Sequence, residues 1–329
     1  MSTRTSSGNE LRHSGIAIAR AGVAALSERI GISAPLEARP GAHLAVRLEQ
    51  GRGFPGRAVL LPTSDGWVHP GHSTVRDTFT DMVLSLGAAP ALPGDDYPDL
   101  RSLAAETIDA EAGAWMLPAV AVRTRPAPEP QVPVSVDVSV FDDAAVVVLG
   151  TTWATPLVGL VLARLGARVT RIEHPDRPDP FPLHDRLAQG QSRLALDLGR
   201  GIDRDRLIQL LASTDLLVDG HTPRVLVNAG LGDDTLRAEW PKLARLRVSA
   251  LNDGDRPGFG PAAECRGGWA ARHDPPRLTH SSVADPVAGL LGVLAGAELL
   301  SGDRAASPRA RVSLEDAVGY LLAIERRHG

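Results

Sequence analysis

The chain has 329 residues, of which 43% are hydrophobic, with a formal net charge of −4 and one cysteine, Cys265. Such a composition fills a packed core and leaves no bulk attraction to nucleic acid or an anionic membrane; a single cysteine excludes an intramolecular disulfide and a cysteine-built zinc cluster. The aromatic share is only 4%, so the core must rest on Ala, Val and Leu, and Lys242 is the sole lysine, so nearly all positive charge is arginine.

In chain order, residues 1–10 read as flexible, and the opening MSTRTSSGNELRHSG lacks the apolar core of a secretion signal. No apolar run reads as long and clean enough to span a bilayer, and a cytoplasmic location is expected. Leu11–Arg29 suits a helix. Ala58–Pro62 and Trp67-Val68, joined by Thr63-Ser64-Asp65-Gly66, form a hairpin pattern. Thr74–Leu86 and Leu100–Ala112 are helical patterns, and Trp115–Val122 is apolar. Residues 1–124 are therefore expected to form a small α+β domain. Residues 125–133, with four prolines, read as a stiff linker and the best domain boundary.

Residues 134–329 alternate strand and helix and are expected to form an α/β, Rossmann-like large domain with a mainly parallel sheet. Its first unit, Ala144–Glu173, is strand, turn, helix, strand. The Val-rich run Ala144–Leu149 suits a strand covered on both faces, Pro156 suits a first helical turn, and Gly166 ends the helix. Strands follow at Leu194–Leu198, Leu216–Asp219 and Ala244–Ala250, with helices at Arg204–Ala212, Pro223–Ala229, Asp233–Trp240, Asp285–Ser301 and Leu314–Arg327. Asn252–Arg277, rich in Gly and Pro, reads as loop.

The first turn, Gly150-Thr151-Thr152-Trp153-Ala154-Thr155-Pro156, lacks the glycines that admit a dinucleotide pyrophosphate, although Glu173 ends the second strand where such folds place a ribose-binding acid. No P-loop, G-x-S-x-G elbow or metal-binding histidine spacing is present. Arg171, Arg177 and Arg186 lie around a loop at the carboxyl end of a parallel strand, where an anion would bind; a solvated polar loop has the same composition. Asp285 opens an apolar helix in Ser282-Val283-Ala284-Asp285-Pro286. It fits an ordinary helix cap, and equally a carboxylate that serves as nucleophile or base in a cleft.

Residues 141–320 resemble the family III CoA-transferases of the CaiB/BaiF type, which include acyl-CoA racemases. The resemblance is carried in order by Leu149–Pro156, by Leu162-Ala-Arg-Leu-Gly-Ala-Arg-Val169, and by Arg171-Ile-Glu173. It continues through Leu194-Ala-Leu-Asp-Leu198, Asp215-Leu-Leu-Val-Asp219 with Pro223 and Gly230-Leu231, Ala284-Asp285 with Gly289, and Val312-Ser-Leu-Glu-Asp-Ala317. The segment Ala58–Gly71 is similar to the turn that opens the family's small domain, so the domain order here looks permuted.

The resemblance implies CoA or acyl-CoA as substrate, with neither metal nor NAD, a carboxylic acid as partner molecule, and a homodimer. It implies Asp285 as the nucleophile that attacks an acyl-CoA thioester. Thr152, Trp153, Ala154, Arg171, Glu173, Arg177, Arg193 and Arg224 would bind substrate, and Gly267 and Gly268 would supply N–H groups to the oxyanion. For a racemase, His273 or His280 would face Asp285. There are departures: Gln191 stands where the family has lysine, and Thr222 where it has arginine. They point to an alternative, a member repurposed for a non-CoA substrate or a degenerate dimer subunit.

Overall fold

The computed structural model describes residues 6–39, 42, 59–177, 179, 183–253, 255–279, 282–302 and 307–328, and their strands form two sheets. The N-terminal part comprises helix α1 (Ser6–Ile30), strands β1 (Leu61–Pro62) and β2 (Trp67–His69), helices α2 (Arg76–Ser85) and α3 (Ala105–Ala114), and strand β3 (Val120–Ala121). The expected hairpin is present: β1 pairs antiparallel with β2 through Leu61↔Val68 and Pro62↔Trp67, and β3 adds to the far side of β2. Ala58 and residues 1–5 lie outside the described residues. The helix begins at Ser6, within the stretch expected to be flexible. α3 starts later than the sequence suggests because the Asp65 carboxylate accepts from the Ala105 N–H at 2.8 Å and caps it there.

α1 corrects the expectation that residues 1–124 form one small unit. Its Ala19, Val23, Leu26 and Ile30 are buried in the same core as the large sheet, not with Val68, Phe79, Met82 and Ile108 of the small one. The proline-rich stretch is not a free spacer either. The Ala127 N–H donates to Gly267 O at 3.0 Å, and Arg29 donates to the carbonyls of Val132 and Pro133. The 125–133 segment is a strap docked along the large unit.

The remaining elements are β4 (Ala145–Leu149), α4 (Ala154–Arg164), β5 (Arg168–Glu173), α5 (His184–Leu187), β6 (Ser192–Ala195), α6 (Gly201–Leu211), β7 (Leu216–Asp219), α7 (Pro223–Asn228), α8 (Asp233–Glu239), β8 (Ala244–Ser249), α9 (Gly260–Arg266), α10 (Ala284–Ser301), β9 (Arg309–Ser313) and α11 (Leu314–His328). The second sheet has the order β6-β5-β4-β7-β8-β9, and every pair in it is parallel. This confirms the α/β expectation. The alternation of a strand's side chains divides β4 between two layers. Val146 and Val148 enter the core built with α1, α4, α10 and α11, while Val147 and Leu149 enter the one built with α6, α7 and α8. α10 is long and apolar enough to cross a membrane by composition, but most of its surface is buried in the first of these cores. Its Gly289 lets it approach α4 closely, since a Cβ there would stand 2.8 Å from Leu157.

The segment 252–277, expected to be loop, contains α9. Two arginines tie it to the small unit: the buried Arg256 pairs with Asp109 at 2.5 Å and donates to Leu117 O, and the partly buried Arg266 reaches Asp109 at 3.3 Å. β9, which the sequence reading missed, ends in Ser313. There the Asp316 N–H donates to Ser313 Oγ at 2.8 Å and the Ser313 N–H to Asp316 Oδ2 at 2.9 Å, a reciprocal cap that starts α11.

Candidate functional site

The chain runs from β4 outward to β5 and β6, then returns to the other side of β4 for β7, β8 and β9. Strand order reverses between β4 and β7, and loops at the carboxyl ends of the strands diverge there to leave a crevice. Two groups of side chains stand at that end of the sheet.

The first surrounds the end of β5. Arg171 is only 1% exposed; its Nε lies 3.3 Å from Glu173 Oε1 and its Nη2 3.4 Å from Asp179 Oδ2. Burial pulls the guanidinium's pKa down, and the neighbouring Glu173 and Asp179 oppose that. Arg171 Nε and Nη1 have no directed hydrogen bond despite the nearby carboxylate. His184 stands 3.2 Å from Glu173, and Arg193 pairs with Glu173 at 2.8 Å. The Asp179 carboxylate also accepts from the Thr152 N–H at 2.7 Å, which fixes the β4–α4 turn while Thr152 holds a left-handed φ of 72°. Predicted residues Thr152, Arg171, Glu173 and Arg193 are thus brought together, with Asp179 and His184 as members the sequence reading did not assign.

The other predicted residues are dispersed. Trp153 is 2% exposed and its indole N–H donates to Glu37 O at 2.8 Å, so the ring is a core anchor for the 36–38 turn; Ala154 is buried beside it. Arg177 and Arg224 are exposed, the latter on the first turn of α7. Gln191 donates to Leu187 O at 2.5 Å and brings no charge. At the end of β7, Asp219 is fully buried: burial raises its pKa, but His221 and Arg245 outweigh that and hold the carboxyl below the usual range. Among the described residues no group of three or more His, Cys, Asp or Glu side chains can hold a metal ion.

The second group is built around Asp285 on the first turn of α10. Asp285 is 8% exposed. Burial pushes its pKa up to about 6, partly opposed by the Ser282 hydroxyl and by its own backbone N–H. The Ser282 hydroxyl donates to Asp285 Oδ2. Asp285 is not the helix cap that its sequence position allows: Val283 stands at the cap without a side-chain hydrogen bond, and Asp285 is the second residue of the helix, oriented by Ser282. Directly across lies Gly260, the first residue of α9. A Cβ built there would lie 2.8 Å from Asp285 Oδ2 and would also strike Ser282. The bare backbone is what lets α9 close over the carboxyl.

This arrangement corrects the role expected of Gly267 and Gly268. They form the other end of α9. The Gly267 N–H donates to Ala263 O and the Gly268 N–H to Cys265 O, while a Cβ on Gly267 would collide with Val318. Both N–H groups close the helix and are not free for an oxyanion near Asp285. His273 is surrounded by Arg272, Arg277 and Glu325; burial first, then the two arginines, lowers its pKa. His280 lies outside the described residues.

The model of CoA-transferase family III matches residues 141–306. Succinyl-CoA–D-citramalate CoA-transferase of Chloroflexus aurantiacus is 29% identical over 173 residues, which cover 46% of this chain and 43% of that protein. Alpha-methylacyl-CoA racemase of Homo sapiens is 32% identical over 133 residues, covering 40% of this chain and 31% of that one. The chain spans less than half the length of these curated relatives. Among solved structures, a CaiB/BaiF family protein from Brucella suis superposes with a TM-score of 0.49 at 22% identity, over 57% of this chain and 56% of that one.

Proposed function

Since the chain belongs to CoA-transferase family III, we propose that it is an enzyme that moves CoA between carboxylic acids through a covalent intermediate on Asp285. The observation that carries this reading is the Asp285 carboxyl itself, buried at a helix start, hydrogen-bonded on one edge by Ser282 and faced by a residue without a side chain. With a pKa near 6 it is ionised at neutral pH and more basic than an ordinary aspartate.

In the proposed cycle, an Asp285 oxygen attacks the thioester carbonyl of the donor acyl-CoA. The carbon–sulfur bond breaks, CoA leaves as thiolate, and an acyl-aspartyl anhydride remains. The thiolate attacks the aspartyl carbonyl, releasing the donor acid and leaving an aspartyl-CoA thioester. The acceptor carboxylate then displaces CoA from that thioester, and the thiolate returns to the acceptor's carbonyl, which regenerates Asp285. Positive N–H ends of the first turn of α10 favour the carboxylate between steps. Arg193, half-exposed beside Glu173, is the cation of this cluster that can reach an anionic part of CoA.

Incubation with acyl-CoA, hydroxylamine trapping and peptide mass spectrometry test the reading. A hydroxamate on Asp285 that is absent from Asp285→Asn is expected, and no adduct with a panel of acyl-CoAs would overturn it. A second reading, a carboxylic substrate that is not a CoA ester, is favoured by Gln191, whose amide serves Leu187 O where a cation would be expected. Calorimetry with free CoA separates the two: micromolar binding supports the first. We further propose a cytoplasmic homodimer, to be checked by sedimentation and by fractionation.

A further inference from the structure

A second buried carboxylate lies behind Asp285. Glu264 is 1% exposed and sits on α9 four residues after Gly260, so the two share one face of that helix. Gly260 meets the Asp285 carboxyl and Ser282. Glu264 accepts from the Thr279 N–H at 2.9 Å, from the Thr279 hydroxyl, and from the backbone of Val283. One carboxylate therefore grips both ends of the segment that delivers the chain into α10. N–H groups just before and at a helix start have no partner within the helix, and a charged acceptor is the strongest one available to them.

We propose that Glu264 is a positioning residue for Asp285: it ties Thr279 and Val283 to α9 and thereby holds the Asp285 carboxyl against Gly260 for reaction. The proposal rests on Asp285 as the nucleophile. It adds a residue that acts without touching substrate.

The electrostatics agree with the geometry. Burial pushes Glu264 up to about 7, its hydrogen bonds pull it down, and the Asp285 charge pushes it up again. The titratable and charged groups on the elements packed around α9 are mostly engaged elsewhere. His69 of β2 meets Val59 O, Arg266 meets Asp109, Arg272 meets Glu325, Glu315 accepts from the Asn252 N–H, and Asp316 caps α11. Cys265 is buried on α9 itself, with its thiol raised by burial and then by Glu264, and Tyr320 on α11 is raised by burial. Asp285 is the acid whose charge Glu264 feels.

The test uses the full chain with carboxyl-13C aspartate and variants Glu264→Gln, Thr279→Val and Thr279→Ser. The Asp285 carboxyl resonance, identified by its loss in Asp285→Asn, is titrated without any CoA present. In Glu264→Gln the resonance is expected to move or divide as the tie between Thr279 and Val283 loosens, with little change of midpoint, because Glu264, pushed up to about 7, is largely protonated where Asp285 titrates at about 6. In Thr279→Val the resonance is expected to move or divide, and Thr279→Ser, which keeps the hydroxyl, restores it. In parallel, single-turnover acylation at saturating acyl-CoA is expected to slow by roughly tenfold or more in Glu264→Gln with unchanged half-saturation, as displacement of a reacting group predicts. An Asp285 resonance of unchanged position in both Glu264→Gln and Thr279→Val overturns the proposal. If Glu264→Gln does not fold, Thr279→Val against Thr279→Ser decides alone. If the native protein forms no acyl adduct, the transferase reading fails while the position of the carboxyl resonance still decides whether Glu264 holds Asp285.

Discussion

Replacing Asp285 with asparagine is expected to stabilise the protein while abolishing its acyl adduct. Asparagine keeps the shape and an oxygen for the Ser282 hydroxyl but cannot ionise. The native carboxyl titrates at about 6 in the folded chain against 3.8 unfolded. Its folded pKa is raised, so the folded state binds the proton more tightly and loses stability as pH climbs from the unfolded value to the folded one. Linkage gives a cost of about 0.5 kcal/mol at pH 4, about 1.5 kcal/mol at pH 5 and about 3 kcal/mol at pH 8. Urea denaturation of native protein and Asp285→Asn at those three pH values reads the difference directly. The variant should be the more stable at pH 8, and its advantage should shrink toward pH 4. An advantage independent of pH, or a variant less stable at pH 8, would refute the account of Asp285 as a buried carboxylate held ionised at a cost.

Four further outcomes follow from the same geometry. Gly260→Ala introduces a methyl 2.8 Å from Asp285 Oδ2; overpacking of about 1–3 kcal/mol in denaturation and a loss of trapped adduct are expected together. Ser282→Ala removes the hydroxyl that holds the Asp285 pKa down, so the acidic limb of the pH–rate profile should move upward by about 0.5–1 unit, the equivalent of a hydrogen bond worth about 1 kcal/mol. Arg193→Gln, half-exposed beside Glu173, should weaken CoA binding by roughly five- to tenfold in calorimetry without altering the acylation rate at saturation. Gly319→Ala places a methyl against the Pro128 carbonyl, and a destabilisation of about 1–3 kcal/mol in urea would report the docked strap.

The parallel sheet was legible because β4 and β7 are buried on both faces and therefore read as continuous apolar runs. β9 escaped notice for the opposite reason. Its Arg309 and Arg311 alternate with Ala310 and Val312, and Arg309 pairs with Asp233 at 3.0 Å, so a sheet strand carries the composition of a surface loop. α9 is short and begins Gly-Pro, which as sequence is a loop signal and in the fold is the start of a helix. The strap was hard to see because its own backbone makes the contacts with Gly267 and with Arg29, and a proline-rich composition does not announce them. Of the site, Asp285 could be singled out from its place before an apolar helix. Gly260 and Glu264 could not, since their purpose arises only when residues 260–264 fold back on 279–285. Trp153 was misread because its pattern position matched a ligand loop while its indole turned inward to Glu37.

The placement of α1 has a consequence for biosynthesis. This helix leaves the ribosome first of the described elements, yet its apolar face fits α10 and α11, which are made last. Roughly 250 residues separate Ile30 from Ala284, an interval of about 12–50 s at typical elongation rates. During that time Ala19, Val23, Leu26 and Ile30 have no native surface to cover them. The nascent chain is thus an expected client for chaperones that bind apolar helices, and completion of the large unit is the step that releases it.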